Sequence, residues 1–141
     1  MWVIFEGLDK SGKTTLEWEF LKETNFKHIV VDRGPAGYFV FDALFKRVMK
    51  NNKECYTKNL SVVNHNFMVV YCKAPIDIAM KRLEEHNEKC PYDYGLAQLI
   101  YDDAIEYLYK QRGVQVVTIN TEKPIDECVN EIIKKLEEVL K

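Results

Sequence analysis

The sequence predicts an α/β fold of three layers, with a short, mostly parallel central sheet of about four strands flanked by helices. Three observations carry that prediction. Four short runs rich in β-branched and aromatic residues recur along the chain, helical stretches fill the gaps, and prolines mark the passage from strand to helix.

The four runs are Trp2 to Glu6, His28 to Asp32, Phe67 to Cys72 and Val114 to Asn120. None alternates strictly between apolar and polar, as expected of strands covered by helices on both faces. Strand–helix alternation implies right-handed crossovers and parallel pairing, in the order second, first, third, fourth. The first helix is expected from Thr15 to Glu23. Pro35, Pro75 and Pro124 each open a helix, because proline's missing N–H would be unpaired at the first helical position. Asp77 and Asp126 follow within the first turn, where the helix dipole favours an acid. Leu96, Leu99, Ile100, Ala104, Tyr107 and Leu108 repeat at helical spacing, with Gly113 as the stop. Ile125, Cys128, Val129, Ile132, Ile133, Leu136 and Leu140 form one face of a last helix.

At 141 residues the chain reads as one domain, 1–141, with no repeat, low-complexity segment or linker. Its 47% hydrophobic and 30% charged residues are those of a globular protein. No apolar run approaches the roughly 20 residues that span a bilayer. The N-terminus enters a strand without a basic leader, so neither a membrane nor a secretory role is expected. With 20 Lys and Arg against 22 Asp and Glu, bulk charge does not favour nucleic acid, which leaves only a local basic groove for such a partner. Cys55, Cys72, Cys90 and Cys128 lack zinc-ligand spacing and are expected to be reduced thiols of a cytoplasmic protein. His65 and His86 are isolated and are not read as metal sites.

The chemistry is concentrated near the N-terminus. Gly7-Leu8-Asp9-Lys10-Ser11-Gly12-Lys13-Thr14 matches G-x-x-x-x-G-K-[ST], the phosphate-binding loop of P-loop nucleoside triphosphatases. It follows an apolar strand and opens a helix, which is what the mechanism requires. Successive backbone N–H groups turn inward around phosphate oxygens at a helix N-terminus that already favours anions. Gly7, Asp9, Lys10, Ser11, Gly12, Lys13, Thr14 and Thr15 are the expected nucleotide-binding residues. Lys13 should reach the β- and γ-phosphates, and the Thr14 hydroxyl should ligate Mg²⁺. GTPase signatures are absent. The second strand ends in Asp32-Arg33. An acid there can hold Mg²⁺ through water or take a proton from an acceptor hydroxyl, and the arginine can grip an acceptor phosphate.

Phe5 to Leu16 resembles the opening of thymidylate kinases and related nucleoside and nucleotide kinases. Asp32-Arg33, followed by the aromatic-rich stretch of Tyr38, Phe39, Phe41 and Phe45, resembles their D-R segment. The resemblance implies that Asp9 contacts the acceptor's sugar, that Lys10 assists transfer, and that Arg33 binds the acceptor phosphate. It also implies a lid around residues 81–95, closing basic side chains (Lys81, Arg82, His86, Lys89) over the phosphates, with Arg82 or Lys81 stabilising transferred charge. The loop from Asn120 to Lys123 falls where relatives cradle adenine. Tyr38, Phe41 and Phe45 are expected in the core rather than as a base-stacking platform.

The chain departs from the family pattern in one respect. Only Thr24, Asn25, Phe26 and Lys27 separate the P-loop helix from the D-R strand, where relatives insert another strand and acceptor contacts. The expected activity is ATP-dependent transfer of the γ-phosphoryl to a nucleoside monophosphate. A hydroxyl on a nucleoside or on DNA is the alternative acceptor, which would make Asp32 the base. A non-catalytic ATP-binding switch is a further alternative. A homodimer is compatible with all three.

Overall fold

The structure, a computed structural model, describes residues 1–45 and 66–141, so Cys55 and His65 lie outside the described residues. The strands are β1 (Trp2–Glu6), β2 (Ile29–Asp32), β3 (Phe67–Lys73) and β4 (Gln115–Asn120). They form one sheet in the order β2-β1-β3-β4, every neighbouring pair parallel. Strand order and parallel pairing are those the sequence predicts.

The helices are α1 (Lys13–Glu23), α2 (Pro35–Leu44), α3 (Ile76–Glu85), α4 (Tyr94–Leu108) and α5 (Ile125–Leu140). β3 shows why strict alternation is missing. Met68, Val70 and Cys72 point to one face, where they meet Leu16 and Phe20 of α1 and Cys128, Val129, Ile132 and Leu136 of α5. Phe67, Val69 and Tyr71 point to the other, packing with Phe39 and Val40 of α2 and Tyr101, Ile105 and Leu108 of α4. Both faces of the strand are therefore apolar, and the sheet is the middle layer of three.

Three details differ from the sequence reading. α1 starts at Lys13, because Gly12 takes a left-handed backbone (φ 85°) that turns the chain straight into the helix. α3 and α5 start one residue after their prolines, which are extended (ψ 144° and 145°) and act as caps. The Pro75 and Pro124 carbonyls still accept the first helical bonds, from Ala79 N (3.0 Å) and Cys128 N (3.1 Å). Of the aromatics after the D-R pair, Phe39 and Phe41 are buried, whereas Tyr38 and Phe45 are exposed. Helical spacing alone does not settle which neighbours a helix has, and here α2 turns Tyr38 outward. Among the described residues, no helix is long and apolar enough to cross a membrane. Cys72 and Cys128 are buried and unbridged, and Cys90 is half-buried.

Candidate active site

The parallel sheet delivers the C-terminal ends of β1, β2 and β4 to one edge, and a cavity of about 600 Å³ opens there. Its wall contains Asp9, Lys10, Gly12, Lys13, Thr14 and Thr15 from the P-loop, Asp32 and Arg33 from β2, Arg82, His86 and Glu88 from the lid region, and Thr121 and Lys123 beyond β4. Motifs far apart in the sequence therefore converge on one space, at the place where open α/β sheets bind ligands.

Lys13 is the pivot of the Gly7–Thr14 loop, the expected phosphate cradle. Its ammonium forms an ion pair with Asp32. Burial works against the charge on Asp32, yet the hydrogen bonds from Lys13 and Glu17 and the charges of Lys13 and Arg33 hold its carboxyl below the usual range. Glu17 lies one helical turn beyond Lys13 and is buried. Burial first, then the hydrogen bond and charge of Asp32, push its carboxyl up to about 7, so Glu17 is the proton donor of the pair. Two polar atoms here are buried without a partner, Ser11 Oγ and Glu17 Oε1.

Arg33 is held in an uncommon conformation. Its backbone is left-handed (φ 69°), its N–H donates to the Phe5 carbonyl (2.9 Å), and its guanidinium carbon lies 4.2 Å from the centre of the Phe41 ring. Its Nε is buried without a partner. Phe41 in turn meets Phe45 and Tyr92, so an aromatic shelf carries the cation.

Beneath this pair of loops sits Glu6, fully buried. Tyr101 donates to its Oε1 (2.7 Å) and Tyr109 to its Oε2 (2.6 Å). The N–H groups of Gly34 and Gly37 donate to Oε1, both at 3.1 Å. Tyr101 also accepts from Gly7 N (2.9 Å). Burial raises the Glu6 carboxyl above its ordinary range, and the phenol and backbone donors pull it back. This one side chain joins the end of β1, the D-R turn, the start of α2 and the middle of α4. Gly37 leaves room for it, since a Cβ there would lie 2.7 Å from Glu6 Oε1 and 2.8 Å from the Tyr101 hydroxyl.

The 81–95 segment, the expected lid, is strapped to the Gly7–Thr14 loop. Arg82 donates to the carbonyls of Lys10 (2.8 Å) and Thr121 (3.0 Å), Lys10 pairs with Glu88 (3.0 Å), and Tyr92 and Tyr94 donate to the Asp9 carboxylate and carbonyl (3.3 and 3.1 Å). Lys81 and Lys89 are exposed and outside the cavity wall, so of the basic lid residues named from the sequence only Arg82 and His86 reach it. Arg82 is committed to backbone acceptors because its helix packs directly over the loops that carry them.

Glu6, Glu17, Tyr92, Tyr94, Tyr101 and Tyr109 were not singled out as site residues by sequence reasoning. A signal existed for two of them. Glu6 is an acid ending an apolar strand, which demands buried partners. Glu17 stands four residues after Lys13, on the same helix face.

The residues present suit a magnesium nucleotide. Thr14 and Asp32 offer a hydroxyl and a carboxylate, hard oxygen ligands of the kind Mg²⁺ takes alongside phosphate oxygens.

Fold and cradle together define an α/β domain with the architecture of P-loop kinase-like proteins. Among solved structures, it is similar to the YorR protein from Bacillus subtilis in complex with phosphorylated GDP, at a TM-score of 0.75 and 16% identity, over 97% of this chain and 96% of that one. It is also similar to deoxyadenosine kinase from M. mycoides with bound dATP (TM-score 0.58, 15% identity, 97% of this chain, 100% of that one). The same enzyme with products dCMP and a flexible dCDP gives a TM-score of 0.57 at 14% identity, over 98% of this chain and 100% of that one. At such identities the likeness is one of fold. No family model and no curated protein matches the chain.

Proposed function

We propose that the chain is an ATP-dependent phosphotransferase acting on a nucleoside monophosphate, in the manner of thymidylate kinases. The observation that carries this reading is the convergence of the Gly7–Thr14 cradle and the Asp32-Arg33 pair on one cavity. A phosphate cradle alone binds a nucleotide. Arg33, a cation on the wall of the same cavity, adds a place for a second anion.

In this reading the phosphates of ATP enter the loop, and Lys13 exchanges Asp32 for phosphate oxygen. Arg33, fixed on Phe41, holds the acceptor phosphate, while Arg82 keeps its charge beside the loop. The bond between the γ-phosphorus and the ADP oxygen breaks as the acceptor oxygen bonds to that phosphorus in line. A monophosphate oxygen is already anionic and needs no strong base. Mg²⁺, when bound with the triphosphate, neutralises phosphate charge, and Thr14 and Asp32 are the residues that would hold it.

A second reading has a specific observation behind it. Asp32 is 61% exposed at the cavity, within reach of an acceptor hydroxyl, and a structural neighbour is a deoxyadenosine kinase. A nucleoside or DNA hydroxyl would hand its proton to Asp32.

The test is transfer from γ-labelled ATP with Mg²⁺ to two acceptor pools, resolved by chromatography. One holds nucleosides and their monophosphates, the other DNA oligonucleotides with free 5′-hydroxyls or hydroxymethylated pyrimidines. Label in a nucleoside diphosphate supports the first reading. Label in a monophosphate or in DNA supports the second, and Asp32→Asn should then lower the rate by about 10²-fold or more. ATP binding with no labelled acceptor makes the protein a nucleotide-dependent switch.

A further inference from the structure

A loop that aims its N–H groups at an anion turns its carbonyls away from it, and each carbonyl then needs a donor of its own. The Gly7–Thr14 loop meets that need from two sources. Leu8 O accepts from Ser11 N (3.1 Å) and Gly12 O from Leu16 N (3.2 Å), which are local bonds of the turn and of α1. The two carbonyls between them are served from far along the chain. Asp9 O accepts from the Tyr94 hydroxyl (3.1 Å), and Lys10 O accepts from Arg82 Nη1 (2.8 Å).

Arg82 does more than satisfy one carbonyl. Its Nη1 also reaches Thr121 Oγ1 (3.3 Å), and its Nη2 donates to Thr121 O (3.0 Å). Thr121 is itself pinned, since its N–H (2.8 Å) and its hydroxyl (3.2 Å) both donate to the Lys73 carbonyl at the end of β3. It also lies against Gly12, where an added Cβ would stand 3.0 Å from the Thr121 Cβ. One guanidinium therefore spans two walls of the cavity, the Gly7–Thr14 loop and the turn after β4. Lys10 needs such a hold. Its backbone is left-handed (φ 62°), a conformation that a residue with a Cβ keeps only where its surroundings impose it. A planar fork of donors can serve two carbonyls at once, whereas an ammonium is a single point of charge.

We propose that Arg82 is a positioning residue for the bound nucleotide: by holding the Lys10 and Thr121 carbonyls it keeps the Gly7–Thr14 loop in its anion-receiving shape before any phosphate arrives, and it does not touch the phosphoryl group that is transferred. This rests on the reading of that loop as a nucleotide cradle. It replaces the charge-stabilising role that the resemblance implies for Arg82 with one exerted through the backbone. A loop already ordered loses less conformational freedom on binding, so the clamp is expressed in nucleotide affinity.

Two substitutions separate the fork from the charge. Arg82→Lys keeps the charge without the fork, and Arg82→Met removes both. ADP and ATP affinities with Mg²⁺ are measured by calorimetry, and amide hydrogen exchange of the nucleotide-free protein is followed by mass spectrometry. Both variants should bind ADP about tenfold more weakly or worse, with the loss for ATP within about threefold of the loss for ADP. Without nucleotide, exchange should speed up in residues 7–14 and 120–123 while α5 keeps its wild-type rate. A general loss of stability would speed α5 as well, so that pattern overturns the proposal, as does unchanged exchange in both loops. A Lys variant that binds ADP like the wild type also overturns it. So does a loss for ATP more than about threefold beyond that for ADP, which would make Arg82 a direct contact of the γ-phosphate. If the Met variant fails to give a cooperative melt, the Lys variant decides alone. A wild-type protein that binds neither ADP nor ATP removes the nucleotide reading and this inference together, whereas wild-type binding with unaffected variants removes only the role of Arg82.

Discussion

Two glutamates flank the phosphate-binding loop, and their surroundings are opposites. Glu6 is fully buried and receives two phenol and two backbone donors, so its hydrogen-bonding geometry is satisfied, although burial still pushes its carboxyl up. Glu17 is nearly as buried, yet its Oε1 has no partner and its neighbour is a second acid, Asp32. The same residue type thus does two kinds of work. A closed network fixes the relative positions of β1, α2 and α4. The other leaves Glu17 Oε1 unpaired, as Ser11 Oγ and Arg33 Nε are nearby.

Breaking the closed side should have the largest effect. Glu6→Leu strands the Tyr101 and Tyr109 hydroxyls and the Gly34 and Gly37 N–H groups without an acceptor. We expect a loss of about 3–5 kcal/mol in urea unfolding. A midpoint like that of the wild type would show that the network contributes no stability. On the open side, Lys13→Ala should leave the thermal melt nearly unchanged and lower phosphoryl transfer by about 10²–10³-fold. Near-normal turnover would contradict the cradle assignment.

The comparison is sharpened by pH. Glu17 rises from an ordinary 4.5 to about 7 in the fold, so the folded protein binds more protons than the unfolded chain between those values. Its contribution is fully present below about 4.5 and is lost as pH rises through about 7. In the metal- and nucleotide-free protein, the melting temperature of wild type minus that of Glu17→Gln should therefore fall across this window and level off above it. A difference that is flat from pH 4 to 8 would remove the shifted carboxyl. Asp32 works in the opposite sense, since its lowered value stabilises the fold above 3.8 and is lost only in stronger acid. The smallest effect belongs to the rim. The Lys10–Glu88 pair is 23% and 50% exposed, so Glu88→Ala should change stability by less than about 1 kcal/mol, and less still at high salt.

How much of this can be read from the chain depends on the range of the interaction. Gly7 to Thr14 is contiguous, and its place as a loop between β1 and α1 follows from its spacing and from the strand and helix on either side. Strand order follows from the chirality of the crossovers, and both faces of β3 are apolar as its unbroken hydrophobic run suggests. The partners of Glu6 are another matter: Tyr101 and Tyr109 lie 95 and 103 residues away, and nothing local pairs them with it. Arg82 reads as a mobile lid cation until α3 is seen to lie over Lys10 and Thr121. Tyr38 and Phe41 share a helical spacing, yet only Phe41 is buried, because burial depends on where α4 and Tyr92 come to rest.

The most direct measurement is a crystal structure with Mg²⁺ and a non-hydrolysable ATP analogue. The triphosphate should lie within Gly7–Thr14, with Lys13 moved from Asp32 to phosphate. Phosphates outside the loop, with the Lys13–Asp32 pair intact, would contradict the account.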